Sequence, residues 1–135
     1  MQNKTFAIIK PDAVENKYLG KITEMIIQNE FDILNARLIT MTKTQAEGFY
    51  AIHKERPFFN NLVSFMCSGA CMVLELKKDN AVQEWRNLIG ATDPEEAKEG
   101  TIRSLFAESK ERNSVHGSDS DENAITEINF FFKNE

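Results

Sequence analysis

No stretch of this sequence is apolar over the roughly 20 residues that a membrane-spanning helix requires. The N-terminal Met1-Gln2-Asn3-Lys4 leads only into the short run Phe6-Ala7-Ile8-Ile9, so neither an anchor nor a targeting segment is expected and the cytoplasm is the natural compartment. Cysteine is equally scarce. Cys67 and Cys71 are the only thiols, too few for a disulfide framework and without the paired Cys-x-x-Cys clusters of a zinc site. Both are expected in the core, where a free cysteine behaves as a small hydrophobe. Positive charge is in short supply too: 16 Lys and Arg stand against 21 Asp and Glu, a formal net charge of -5. That balance disfavours partners held mainly by electrostatics, such as duplex nucleic acid or an anionic membrane surface. Any polyanion must be small and met locally, and Lys10, Arg86, Arg103 and Arg112 are scattered basic residues that only folding can bring together.

What is present is an ordinary globular composition. With 135 residues, 41% hydrophobic and 27% charged, the chain is expected to form one domain spanning 1–135 around its own core. No repeat, low-complexity segment or linker interrupts it. Thr5 to Ile9 reads as a buried strand closed by a Pro-containing turn at Lys10-Pro11-Asp12. From Leu19, the positions Ile22, Met25 and Ile26 follow helical spacing up to Asn29. A stretch of high strand propensity follows from Phe31 to Met41. Thr44 and Glu47 form a capping-box pattern for a helix ending near Arg56-Pro57, and a second short helix is expected from Phe58 to Ser68, closed by Gly69. Ala70 to Leu76 suits a central strand, and Ala81 to Ile89 an amphipathic helix.

Gly90 to Gly100 lacks periodicity and reads as an ordered surface loop, a kind of segment that often carries function. After a short helical stretch from Ile102 to Phe106, Ser114-Val115-His116 reads as a brief strand. Ser118 or Ser120 can cap a last helix whose apolar face comes from Ala124, Ile125, Ile128 and Phe132. This order of elements predicts an α+β sandwich with helices packed on one antiparallel sheet.

Of the two histidines, His53 sits before Lys54-Glu55-Arg56-Pro57 near a helix C-terminus, where an imidazole needs no catalytic reason. His116 is different. Small, hydrogen-bonding residues crowd the point where a strand turns into a helix, and Gly117 permits close backbone approach. The setting suits a nucleophile, although such a Gly-turn before an acidic helix start also occurs for structural reasons alone. None of the six glycines forms a P-loop, a dinucleotide-binding turn or a kinase glycine loop, so a bound nucleotide must be held by side chains.

Asn113-Ser114-Val115-His116-Gly117-Ser118-Asp119-Ser120 resembles the active-site signature of the nucleoside diphosphate kinases. Ile9-Lys10-Pro11-Asp12-Ala13-Val14, Arg56-Pro57-Phe58-Phe59, Ser68-Gly69, Gly90-Ala91-Thr92-Asp93-Pro94 and Gly100-Thr101-Ile102-Arg103 resemble the same family in the same order, covering essentially the whole chain. The resemblance implies a ferredoxin-like α+β sandwich, a four-stranded antiparallel sheet covered by helices. It implies reversible, ping-pong transfer of the γ-phosphate from nucleoside triphosphates to nucleoside diphosphates, tolerant of base and sugar. His116 would be the phosphate-accepting nucleophile, supported by Ser118 and Glu127. Lys10, Tyr50, Arg86, Thr92, Arg103 and Asn113 would hold phosphates and sugar, with Phe58 beside the base. Mg²⁺ would ride on the nucleotide phosphates with no direct protein ligand, since no dense carboxylate cage is visible. A homo-oligomer, tetramer or hexamer, is also implied.

Two departures stand out. Ser104-Leu105 replaces a pair whose second member is usually acidic, and the chain ends at Glu135 without the longer tail of many relatives, which implies that subunit contacts made by such a tail are absent. A nucleotide sensor without turnover would be expected to lose a matched position, and all are present. A nucleic-acid-binding protein would need a basic face, which the acidic balance opposes.

Overall fold

The first strand has no polar alternation because it is buried on both faces. In the computed structural model, which describes residues 3–132, β1 (Lys4–Ile9) lies inside a four-stranded sheet, and every residue from Thr5 to Ile9 is buried. It pairs antiparallel with β3 (Cys71–Lys77) on one side and with the short edge strand β4 (Val115–Gly117) on the other. β2 (Asp32–Ile39) pairs antiparallel with β3 and forms the opposite edge, giving the order β2-β3-β1-β4. This is the antiparallel ferredoxin-like α+β sandwich expected from the sequence.

Successive strand residues point to opposite faces, so β1 feeds two cores. Phe6 and Ile8 join Val73 under α3 (Lys43–Phe49), α4 (Phe59–Met66) and α7 (Asp121–Phe132), through Ala46, Val63, Met66, Ile128 and Phe131. Ala7 and Ile9 join Leu74 and Leu76 under α1 (Pro11–Glu15), α2 (Leu19–Gln28), α5 (Ala81–Ile89) and α6 (Ile102–Phe106), through Ala13, Ile22, Ile26, Trp85 and Ile102. The helices thus cover both faces of the sheet. Among the described residues, no helix is long and apolar enough to cross a membrane.

Several local expectations are corrected. The Lys10-Pro11-Asp12 segment is not only a turn: it opens α1, with Pro11 at the first helical position, where a missing N–H costs nothing and φ is already helical. The capping box is formed by Thr42 and Gln45, not Thr44 and Glu47. Thr42 Oγ1 accepts the Gln45 N–H at 3.0 Å and Gln45 Oε1 accepts the Thr42 N–H at 2.9 Å. The helix ends at Phe49, and only a 3₁₀ turn, Ala51–His53, continues toward Pro57. α4 stops at Cys67 on right-handed backbone, so Gly69 does not supply a left-handed cap. Cys71 is buried but Cys67 is only half-buried. Ser104 and Leu105 lie exposed on α6, where Thr101 Oγ1 caps the Ser104 N–H. Of the two serines expected as caps for α7, Ser120 takes the role, accepting the Asn123 N–H at 3.1 Å. The expectations for Met1-Gln2 and for the chain's end at Glu135 lie outside the described residues.

Candidate active site

Register decides which way His116 faces. It lies opposite Ile8 in the β1–β4 pairing, with Val115 and Gly117 opposite Ile9 and Ala7. Directly opposed residues share a face, so the His116 side chain projects toward α3 and α7 and its neighbours toward α5. There the imidazole Nε2 lies 2.9 Å from Glu127 Oε1, and Ser118 Oγ donates to that same oxygen at 2.7 Å. A carboxylate only accepts hydrogen bonds, so Nε2 carries the proton and Nδ1 is left with its lone pair. Phe49 packs edge-on against the imidazole with ring centroids 5.4 Å apart, and Phe6 does so at 6.1 Å. The ring is held in one orientation with one nitrogen free, as a nucleophile oriented by a third group should be.

On the other face, Trp85 Nε1 donates to the His116 carbonyl at 3.1 Å. A Cβ on Gly117 would sit 2.7 Å from Trp85 Cδ1, which is why only glycine fits after this histidine. The turn before it is strained. Ser114 has φ 65, and the Val115 N–H reaches back to the Asn113 carbonyl at 2.8 Å, closing a γ-turn. The Lys10 N–H donates to the Ser114 carbonyl at 2.8 Å, and the Ser114 N–H donates to Asp12 Oδ2 at 3.0 Å.

Three of the four scattered basic residues converge beside His116. Lys10, Arg86, Arg103, Thr92, His116 and Gly117 contribute to the lining of a polar cavity of about 480 Å³. Lys10 Nζ donates to Asn113 Oδ1 at 2.9 Å. Arg103 donates to the backbone carbonyls of Gly90 at 3.0 Å, Val115 at 2.9 Å and Asn113 at 3.4 Å, tying the loop after α5 to the segment entering β4. Burial, with Arg103 nearby, lowers the Lys10 pKa to about 8, and Asp12 opposes the shift. Burial and Arg86 lower that of Arg103 to about 10. Cations crowded this way favour an anion, whose charge relieves both the desolvation and the mutual repulsion. Arg112 is elsewhere, paired with Glu108 at 3.0 Å and with its guanidinium over the Phe65 ring.

A second cavity of about 380 Å³ shares Lys10, Thr92, His116 and Gly117 with the first and extends past Tyr50 to Ile52, His53, Phe58 and Leu62. Phe58 is half-exposed at its rim, packed against the His53 ring at 5.6 Å. The Tyr50 ring forms part of the wall, its hydroxyl is buried without a hydrogen-bond partner among the described residues, and burial drives its pKa upward. The two cavities form one cleft, cationic at one end and aromatic at the other. Such a cleft suits a ligand with phosphates at one end and a flat ring at the other. Among the described residues no group of three or more His, Cys, Asp or Glu is placed to hold a metal ion. A hard divalent cation seeks oxygen ligands, whereas the polar end of this cleft offers ammonium and guanidinium donors.

All ten residues expected from the sequence are accounted for: Lys10, Arg86, Thr92, Arg103 and His116 line the polar end, and Tyr50, Phe58 and Glu127 line the second cavity. Asn113 and Ser118 are buried behind them, bonded to Lys10 and Glu127. The sequence reading did not single out Asp12, Phe49 or Trp85. Only the glycine after His116 hinted at a large side chain pressed against that turn.

Comparison with known proteins places this geometry. The family model described as nucleoside diphosphate kinase matches residues 3–135. A nucleoside diphosphate kinase of Lawsonia intracellularis is 56% identical over 128 residues, 95% of this chain and 93% of that protein. The solved structure of the Aquifex aeolicus nucleoside diphosphate kinase superposes with a TM-score of 0.96 at 41% identity, covering 99% of this chain and 97% of that one. A halophilic nucleoside diphosphate kinase from Halobacterium salinarum, solved in complex with CDP, gives a TM-score of 0.94 at 31% identity over 99% and 90% of the two chains.

Proposed function

The chain belongs to the nucleoside diphosphate kinase family and is a phosphotransferase, and we propose that it transfers the γ-phosphate through Nδ1 of His116. The observation that carries this reading is the Nε2–Glu127 hydrogen bond, which leaves Nδ1 as the free nitrogen of an imidazole lining the cationic cleft. In the first half-reaction the Nδ1 lone pair forms a bond to the γ-phosphorus of a nucleoside triphosphate while the bond to the β-phosphate oxygen breaks. The diphosphate leaves. Nε2 keeps its proton, and Glu127 stabilises the positive charge that grows on the ring. A second nucleoside diphosphate then attacks the phosphohistidine and regenerates the free imidazole.

Transfer of a phosphoryl group asks mainly for alignment and charge neutralisation. Lys10, Arg86 and Arg103 supply fixed positive charge at the polar end, with Thr92 and Asn113 completing the hold on phosphates and sugar. Tyr50 shapes the wall behind the imidazole. Phe58 offers a π-face that any base can use, so the site is tolerant of the base, and the family resemblance extends that tolerance to the sugar. Mg²⁺ would arrive with the nucleotide rather than on a protein ligand, and would supply further charge neutralisation beside Lys10, Arg86 and Arg103. On the family resemblance, the active form is a homo-oligomer, tetramer or hexamer, of chains that each act as one catalytic domain, and the two unpaired cysteines fit the cytoplasm.

One phosphate pocket must serve donor and acceptor in turn, so double-reciprocal plots should give parallel lines and labelled ADP should exchange into ATP with no other nucleotide present. His116→Ala should abolish both the exchange and the phosphoprotein while nucleotide still binds. Intersecting lines, with exchange surviving in His116→Ala, would refute the relay.

A further inference from the structure

Asp12 carries a carboxylate to which the reaction assigns no role. It is the second residue of α1 and only 1% exposed, its Oδ2 accepts the Ser114 N–H at 3.0 Å, and its Oδ1 is buried with no hydrogen-bond partner among the described residues. Burial pushes its pKa above the ordinary carboxylate range, against the pull of the Ser114 N–H and of Lys10. A carboxylate with an unsatisfied buried oxygen is costly. Starting a helix does not require it, since an exposed acidic or hydroxyl side chain serves that purpose as well.

What its side chain grips at 3.0 Å is the strained turn. Ser114 holds φ 65 without being glycine, a conformation that persists only where the surroundings enforce it. Two contacts do so: the Lys10 N–H on the Ser114 carbonyl and the Asp12 carboxylate on the Ser114 N–H. The turn in its grip carries Asn113, the acceptor for Lys10 Nζ, on one side and leads to His116 on the other.

We propose that Asp12 is a positioning residue for phosphate transfer: by accepting the Ser114 N–H it holds the turn that sets His116 and Asn113 in register with Lys10. The inference rests on the phosphohistidine reading above. Misplacing a nucleophile by about 1 Å can cost on the order of a hundredfold in rate, and a loosened turn shifts His116 and, with it, Asn113, while Lys10, Arg86 and Arg103 remain in the cavity to bind nucleotide.

The test is the split between kcat and KM with Mg·ATP and a nucleoside diphosphate acceptor, together with single-turnover phosphorylation of the full chain. Asp12→Ala is expected to lower kcat and the phosphorylation rate by roughly tenfold to a hundredfold, with KM within about threefold of wild type. Asp12→Asn keeps an oxygen acceptor for the Ser114 N–H and is expected to recover kcat to within about threefold. If Asp12→Ala does not fold, Asp12→Glu takes its place: it retains the charge but displaces the acceptor by a methylene, so kcat should fall about tenfold. Wild-type kcat in Asp12→Ala or Asp12→Glu, a rise in KM in place of the fall in kcat, or Asp12→Asn as slow as Asp12→Ala would overturn the assignment. A wild-type chain that takes no phosphate on His116 refutes the transfer reading itself, and the Asp12 assignment with it.

Discussion

Glu127 offers a graded perturbation, because one of its oxygens receives two hydrogen bonds, from His116 Nε2 at 2.9 Å and from Ser118 Oγ at 2.7 Å. Glu127→Gln leaves an acceptor in place but removes the charge that stabilises the ring as Nδ1 becomes phosphorylated. Charge-assisted hydrogen bonds contribute about 1.5–3 kcal/mol and neutral ones about 0.5–1.5, so the loss should be about 1–1.5 kcal/mol, or roughly tenfold in rate. Glu127→Ala removes both bonds. The His116 and Glu127 side chains are 18% and 19% exposed, so water reaches the gap and limits the cost to about 2–4 kcal/mol, near a hundredfold. Rapid-quench phosphorylation by γ-labelled ATP measures both rates directly, and ATP affinity should change little because Glu127 is bonded to His116 and Ser118 and supplies no positive charge to the phosphates. Equal rates in the Gln and Ala variants, or wild-type rates in either, would show that the reasoning from this carboxylate is mistaken.

Arg86 and Arg103 should separate by stability. Either alanine variant is expected to lower turnover by roughly 10²–10³, but only Arg103→Ala should also lower the melting temperature, since Arg103 holds three backbone carbonyls and Arg86 is exposed; equal thermal shifts would contradict this. Lys10, with its pKa lowered from 10.5 to about 8, releases its proton earlier in the folded chain than in the unfolded one. Between about pH 8 and 10.5 the unfolded chain therefore binds more protons and the Lys10 contribution makes stability rise with pH. The cationic Lys10 available to phosphate is lost over the same window, so kcat/KM should fall as pH rises through about 8, and a profile flat to well above that value would refute the assignment. Gly117→Ala forces a methyl into Trp85 at 2.7 Å and should destabilise the chain by about 1–3 kcal/mol in denaturant titrations while lowering activity; unchanged stability would mean that Trp85 moves freely.

The parts of this molecule legible in the sequence are those whose signal is local and periodic. β1 reads as a continuous apolar run because both its faces are buried, and α5 falls on the expected residues, Ala81–Ile89, from the spacing of Val82, Trp85 and Ile89. The capping box was harder, because Thr42 with Gln45 and Thr44 with Glu47 are overlapping copies of one pattern and only the packing of Ala46 and Tyr50 into the core chooses between them. α1 is five residues long, too short for a period to show, so its proline reads as a turn. At the site, His116 stands out through its small neighbours, but only family resemblance points to Glu127, since nothing local in α7 marks it. The convergence of Lys10, Arg86 and Arg103 follows from β1, α5 and α6 meeting around β4 and is invisible to composition. The Asp12 contact spans 102 residues.

Phosphate is expected to pass through one particular nitrogen, Nδ1 of His116, and the two phosphohistidine isomers are chemically distinguishable. The full chain should be phosphorylated with ATP, digested under alkaline conditions that preserve phosphohistidine, and the isomer at His116 identified by chromatography against both standards. The Glu127 hydrogen bond to Nε2 requires the phosphate on Nδ1. Phosphate on Nε2, or on any residue other than His116, would contradict the account.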